Sequence, residues 1–462
     1  MNTCVYGAKQ KCGKRQALTR AGSAALLVTL LAGCAVQPQA LEPQENQQRA
    51  ADLLSRATAG QEPVTRPVDL YEAMARAIKY NLDGRVELMN LALAQRELDL
   101  KRFDMLPRFV ATLDYTGRDN YSGGISKSLL TGRTSLEPST SSDKNVLASD
   151  LTLSWDVLDF GLSYVRAKQA ADEVGVADER KRKVINRLIE DVRTAYWRAV
   201  SAERLLGKLR ELEDTTESAL QLAERQESAG LSAPLAPLTY QRELLSIRRD
   251  AQALGRELSV AKQQLAALMN LPPNATYTVA LPPDSIAWQP LNLPGIASGD
   301  NNAILRTALE NRPELREVAY QLRSNGQEMT AAYLRTLPSL RVFAGFDASD
   351  NSFLYNGNWI GWGARASWNL LNVFRLPAEK DKVAVQGQLL DQRQLALTTA
   401  VVTQVEVSRA RYAVRLSELQ TARRYYDVQA RIGQGIDAGF KAEKLSRQAL
   451  IREQMNTVVA GA

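Results

Sequence analysis

Apolar residues follow two different periods along this chain, and the switches between them fall at matching places in its two halves. From about Asp69 to Met105 they recur at steps of three and four, which predicts helix. Pro107 closes that pattern, and beyond it polar and apolar residues alternate, with Phe109, Ala111, Leu113 and Tyr115 on one face. Pro338 closes a second helical stretch, Ala303 to Leu337, and Leu340, Val342, Ala344 and Phe346 then alternate in the same way. A proline disfavours helix in the residue before it, so both Leu-Pro pairs predict a helix-to-strand junction. Each half has a second alternating run: Leu151, Leu153, Trp155 and Val157 in one, and Ile360, Trp362, Ala364, Ala366 and Trp368 in the other. The four strands predicted, 108–116, 150–157, 339–347 and 359–369, have the length of a membrane-barrel strand, roughly 9 to 11 residues. Such a barrel needs at least about eight strands, so several copies of this chain would have to share one.

A phrase repeats at the end of the second strand of each half. "SWDVLDF" from Ser154 to Phe160 returns as "SWNLLNV" from Ser367 to Val373. Between the strands of each half lies a polar loop, long in the first half and short in the second. Tyr115, Tyr121, Trp155, Tyr355, Trp359, Trp362 and Trp368 gather near strand ends, as an interfacial aromatic girdle would. The same residues would also suit the core of a soluble hairpin.

The pattern then turns helical for a long stretch, about Tyr164 to Ser228. Ile185, Leu188, Val192, Ala195, Ala199, Ala202, Leu206 and Leu209 follow one another at steps of three and four, a coiled-coil seam whose small members permit close helix approach. A helix of that length reaches about 100 Å, longer than a domain of this size can enclose. The chain turns at "ESAGLSAPLAP" and resumes from about Leu238 to Leu268, only half as long as the outgoing helix; the helix before the first strand supplies the missing half. The second half repeats this plan with a helix from about Ala378 to Arg431, a turn at "IGQGIDAGF", and short helices over Ala303 to Leu337 and Lys441 to Val459. The glycines Gly230, Gly433, Gly435 and Gly439 suit tight turns with positive φ at the tips.

Composition narrows the function classes. The 462 residues carry a formal charge of +7, but Lys9, Lys11, Lys14, Arg15 and Arg20 supply most of that excess, with no acid beside them. The rest of the chain is nearly balanced, which leaves no basic patch for nucleic acid. The basic segment precedes the apolar run "AGSAALLVTLLAG", in the order of a secretory signal, and that run ends in "LAGC" at Cys34. Cys4 and Cys12 would be removed with the signal, so the mature chain would have no internal disulfide. The alternative is an ordinary cleaved signal with a chance Cys. Residues 34–66, rich in Gln, Pro and Ala, read as a tether with one short helix. There is no histidine, which removes the commonest general base and metal ligand, and the acids are spaced as solvated helix faces. No catalytic residue, metal site or cofactor is expected.

Leu31 to Cys34 resembles the bacterial lipoprotein signal, which implies acylation of Cys34 and anchoring in outer-membrane lipid; Ala35 stands where an inner-membrane retention Asp would be. The mature chain resembles the TolC-like outer-membrane efflux family. The resemblance is carried by the two Leu-Pro junctions, the two Ser-Trp strand ends, "QQLAALMNLPP", and the tip segments "ESAGLSAPLAPLTYQRELL" and "QARIGQGIDAGFKAEKLSRQAL". It implies a mainly α fold with a membrane β-barrel portion, in two structural repeats of long coiled-coil helices with two strands each. It further implies a homotrimer that closes a twelve-stranded barrel and a periplasmic helical tunnel in a Gram-negative outer membrane. The division expected is signal 1–33, tether 34–66, first repeat 67–272, linker 273–299 and second repeat 300–462. An inner-membrane transporter would drive export, and a periplasmic adaptor would dock at tips near Gly230, Leu231, Gly433 and Gly435. Pro107, Trp155, Pro338 and Trp368 would mark the change from barrel to helix.

Family members often close the periplasmic end with acids a few residues past the tip glycines. This chain has Ala236 and Pro237 there in one half, and Gly439 and Phe440 in the other. Asp437 and Glu443 are the nearest carboxylates and stand as gate candidates; the alternative is that both are solvated tip residues. A competing reading of the whole chain is a non-conducting coiled-coil lipoprotein, a scaffold or adhesin. That reading explains the heptads and Cys34 but gives no reason for four strands of barrel length.

Overall fold

Helix and strand alternate through the chain in an order set by local caps. The computed structural model describes residues 40–135, 137–228, 235–273, 275–281 and 301–461. It divides into a unit ending at Gly60 and a larger unit from Gln61 onward. The first unit contains α1 (Pro43–Ala57), the short helix expected in the tether. Cys34 and the signal lie outside the described residues.

In the larger unit, α2 (Leu70–Tyr80) starts at Asp69, whose carboxylate accepts the Glu72 amide at 2.7 Å. This satisfies an amide that has no partner within the helix. The single helix expected from Asp69 to Met105 is broken at Asn81, extended at φ −61, ψ 130, whose side chain caps α3 (Leu82–Phe103) through Asp83 and Gly84. The second half breaks at the equivalent place with different chemistry. Pro313 forces Arg312 to φ −69, ψ 123, so the helix expected over 303–337 is two, α6 (Asn301–Asn311) and α7 (Pro313–Leu334).

The four long strands are β1 (Arg108–Gly117), β4 (Asn145–Asp156), which begins five residues before the expected 150, β5 (Ser339–Ser349) and β6 (Asn358–Ser367). The long loop adds two short strands, β2 (Gly123–Gly124) and β3 (Ser139–Thr140). The four long strands form one antiparallel sheet in the order β1-β4-β5-β6, joining the two halves through β4 and β5. The loops of the two halves are stitched together as well. Asp143 accepts the Ser352 amide at 2.6 Å, and Asp350 accepts that of Leu147 at 2.7 Å.

The repeated phrase resolves into strand end plus helix cap. Asp156 accepts the amides of Leu158 and Asp159 at 3.0 and 3.1 Å, starting α4 (Val157–Ser228). Asn369, at the same place in the second phrase, accepts the amide of Leu371 at 3.1 Å as α8 (Leu371–Lys441) begins. The two helices have 72 and 71 residues, about 110 Å each. The second starts earlier than expected, running through Pro377.

Packing is concentrated on α4. Of the predicted seam, Leu188, Val192, Ala195, Ala199, Ala202 and Leu209 are buried, and Ile185 and Leu206 are partly buried. One half of α4 packs on α5 (Leu235–Leu268), the other on α3 and α7. Leu244, Leu265 and Met269 are fully buried, each contributing about 1.5–3 kcal/mol. The start of the expected linker belongs to this packing. Val68 pairs in parallel with Val279, and the Tyr196 and Tyr277 hydroxyls donate to Ala280 and Lys262 carbonyls. From the second half, α9 (Arg447–Ala460) adds Ile451, Met455 and Val458 to the cluster around Leu209 and Leu244.

The second tip differs from expectation. Gly433, Gly435 and Gly439 lie inside α8, which ends ten residues later than Arg431, at Lys441. The turn is made by Ala442 and Glu443, the latter at φ 57. Glu443 donates to the Phe440 carbonyl and Lys444 to that of Gly439, both at 2.9 Å, the paired bonds of a Schellman cap. Gly433 and Gly439 serve close approach instead, whereas Gly435 has open space around it. A Cβ on Gly433 would stand 3.1 Å from Thr457 Oγ1, and one on Gly439 2.6 Å from Leu445.

Candidate functional site

Directly paired residues of neighbouring strands share a face of the sheet, so the register sorts the side chains. Phe109 pairs with Leu153, Leu153 with Ala344 and Ala344 with Trp362; this face also carries Leu113, Leu151, Val342, Phe346 and Ile360. Most of these large apolar side chains are exposed, Leu113 by 72% and Trp362 by 83%. The strands hold seven charged residues, Arg108, Asp114, Asp150, Asp156, Arg341, Asp347 and Arg365. All seven fall on the opposite face. A sheet apolar and exposed on one side and charged on the other has the two faces of a barrel wall with lipid outside and water inside. Among the described residues its outer strands, β1 and β6, each pair on one side only, which leaves two rows of backbone groups to be met by other strands.

The junction residues sit where sheet gives way to helix. Pro107 immediately precedes β1, and Pro338 immediately precedes β5. Trp155 is the penultimate residue of β4, edge-on to Phe160 with ring centres 5.5 Å apart. Trp368 follows β6 and donates from Nε1 to the Thr336 carbonyl at 2.9 Å, while Asn372 donates to Arg335 at 3.1 Å. An open 660 Å³ cavity at the first junction is lined by Pro107, Arg108, Trp155, Asp156, Arg166 and Arg341.

Just beyond the junction α4 and α7 are joined by a ladder of charge. Arg166 of α4 lies 2.5 Å from Glu328 of α7, which also accepts from Gln169 at 3.0 Å and faces Arg335 at 3.1 Å. Further along, the buried Asp172 accepts from Arg323 and Gln327 at 2.6 and 2.9 Å, and the buried Glu179 lies 3.1 Å from Arg316. Burial pushes the Glu328 carboxyl up, but hydrogen bonds from Arg166, Gln169 and Arg335, with the Arg166 charge, outweigh it and hold the group down to about 2. These residues follow no heptad position and were not singled out by sequence. The only signal was acids and arginines at helical spacing in both halves.

Two helices carry apolar stripes that no other part of the described residues covers. On α3, Leu82, Val86, Met89, Leu93, Leu100 and Phe103 are exposed at steps of three, four and seven. On α8 only Val383, Leu390, Val401 and Gln429 are buried, while Val385, Leu389, Val407, Val414, Val428 and Ile432 are exposed.

At the tips, Gly230 and Leu231 lie outside the described residues. Asp437 is half-buried and bound to Lys441 one turn on, at 2.6 Å, and Glu443 stands in the turn six residues later. The structure therefore places both gate candidates at the same end of α8. No described helix is long and apolar enough to cross a membrane, and among the described residues no group of acids and cysteines is arranged to hold a metal.

Comparison with known proteins matches these features to one family. Residues 75–271 match the family described as outer membrane efflux protein. The antibiotic efflux pump outer membrane protein ArpC of Pseudomonas putida is 22% identical over 385 residues, 79% of this chain and 75% of that protein. The probable efflux pump outer membrane protein TtgC of Pseudomonas putida is also 22% identical, over 69% of this chain and 63% of its own length. Among solved structures, the outer-membrane channel OprN aligns with a TM-score of 0.62 at 16% identity, over 87% of this chain and 90% of that one. CusC aligns at 0.61 and 18% identity over the same shares. The CmeC outer membrane channel of Campylobacter jejuni aligns at 0.59 and 15%, over 92% of this chain and 89% of that one. At these identities the structural likeness establishes the fold: long helices in two repeats with two barrel-length strands each.

Proposed function

We propose, from the match of residues 75–271 to the outer membrane efflux protein family, that the chain belongs to that family and is the outer-membrane conduit of a tripartite export system. Three copies join β6 of one to β1 of the next, closing a twelve-stranded barrel, and their helices continue it as a tunnel into the periplasm. The observation that carries this reading is the sorting of the strands: seven charges on one face, exposed apolar side chains on the other, and two free edges. A scaffold or adhesin has no use for that arrangement.

Conduction is passive, with no bond made or broken; an inner-membrane transporter supplies energy through a periplasmic adaptor. The adaptor docks at the helical tips, around Gly230 and Leu231 in one half and the Ala442–Glu443 turn in the other. Asp437 and Glu443 border the periplasmic opening. Acylation of Cys34 ties the chain to outer-membrane lipid.

Cysteine pairs across the proposed seam test the closure. Val110→Cys in β1 is combined in turn with Gly361→Cys, Gly363→Cys or Arg365→Cys in β6, and the membranes are oxidised. One combination should give a ladder ending at three linked chains. Monomers alone in every combination, with the protein folded, would contradict the shared barrel.

A further inference from the structure

On the charged face of the sheet, sign follows depth. Asp156 of β4 pairs with Arg341 of β5, and Arg341 with Arg365 of β6, at the end of the sheet next to the helices. Arg108, the first residue of β1, enters the sheet at that same end, opposite Ser154. Six residues further along β4, Asp150 stands directly opposite Asp347, and two residues beyond that level Asp114 pairs with Ala148. The helix end thus carries three arginines and one aspartate, and the far half three aspartates and no cation, about 20 Å away along the strand.

The pairings hold like charges together. Arg341 faces Arg365, and Asp150 faces Asp347, although like charges directly opposite across a ladder are unfavourable. Side chains are nonetheless placed to accept the acids. Thr152 donates to Asp150 at 2.9 Å, and Gly361 leaves room for the Asp347 carboxylate, which a Cβ there would meet at 3.2 Å. Among the described residues no cation lies in ion-pair range of Asp114, Asp150 or Asp347, whereas Arg341 is 3.8 Å from Asp156. Past the acidic level, at the loops, signs are mixed again, with Arg118 and Lys144 beside Asp143.

We propose that these residues form two belts of opposite charge in series along the lumen, basic next to the helices and acidic toward the outside, and that they make the conduit pass ions unequally in the two directions. The proposal rests on the barrel reading, because only closure turns a face into a lumen and triples each belt. Rings of charged side chains set ion selectivity in pores, and two rings of opposite sign set direction as well. With the outer side positive, cations enter through the acidic belt and anions through the basic one, so carriers accumulate between them. Reversed, each belt repels the ion driven toward it, and the middle is depleted. The belts act across a wide lumen only while the Debye length is comparable with it, about 10 Å at 0.1 M salt and 3 Å at 1 M.

Current–voltage curves of the purified full chain in planar bilayers test this. Addition to one side fixes orientation, because the helical portion stays on that side. In 0.1 M KCl the current should be larger with the outer side positive, and the difference should vanish in 1 M KCl. Asp150→Asn with Asp347→Asn should abolish it, and so, independently, should Arg341→Gln with Arg365→Gln. Conducting wild-type channels with equal currents at 0.1 M would overturn the belts and leave the conduit standing, as would rectification that survives both double variants. Protein that never conducts would overturn the conduit, and the belts with it.

Discussion

Arg166 Nη1 lies 2.5 Å from Glu328 Oε2, and this contact fastens the long helix of the first half to a short helix of the second. Glu328→Gln keeps the volume and removes the charge, leaving Arg166 and Arg335 facing an amide. It should destabilise the protein by about 1–3 kcal/mol, read as a lower thermal unfolding midpoint at pH 7.

The same carboxylate sets a pH dependence. Its folded value of about 2 lies below the ordinary 4.5, so its stabilisation is complete above pH 4.5 and is lost as the pH falls toward 2. Unfolding midpoints measured at falling pH should drop through that window, and less steeply in Glu328→Gln.

Gly175 of α4 lies against the ring of Tyr320 of α7. A Cβ at residue 175 would meet three ring atoms of Tyr320 at 2.8–2.9 Å, so Gly175→Ala must displace the ring or the helix. A cost of about 1–3 kcal/mol is expected from this overpacking; Gly207→Ala, with open space around it, should be neutral or stabilising. Denaturant midpoints of the two variants compare them directly.

Glu443 holds φ 57 at the end of α8, where glycine is the favoured residue. Glu443→Gly should therefore stabilise the tip by up to about 1 kcal/mol. Hydrogen exchange of the last turn of α8 should slow. Glu443→Ala, still bearing a Cβ, should not produce that gain.

Leu93 is 58% exposed on the free stripe of α3. If that stripe packs against a neighbouring copy, Leu93→Asp should weaken the trimer and leave the helical content of each chain unchanged. Native mass and circular dichroism separate the two effects.

Sequence legibility tracked the strength of the local signal. Pro107 and Pro338 stop helices by steric rule, and alternation marked a part of every long strand, though the first five residues of β4 went unread. The seam from Leu188 to Leu209 was equally plain, since small apolar residues at heptad spacing have few other uses. The phrase around Trp155 and Trp368 was visible as a repeat, but its use of Asp156 and Asn369 as helix caps needed the structure. Gly433 and Gly439 misled because glycine marks both positive φ and close approach; here Thr457 and Leu445 demand the second, and nothing in the structure explains Gly435. The charge ladder escaped because Arg166 and Glu328 are far apart in sequence, and an arginine on a helix says nothing of which carboxylate it meets. The belts of the sheet escaped for the same reason, since depth and sign emerge only when β4 is laid against β5.

The central claim is that three chains make one conduit, and single-channel recording of the purified protein with its native mass tests it most directly. The account predicts a mass of three chains and discrete conductance steps. A stable, folded monomer that never conducts would contradict it.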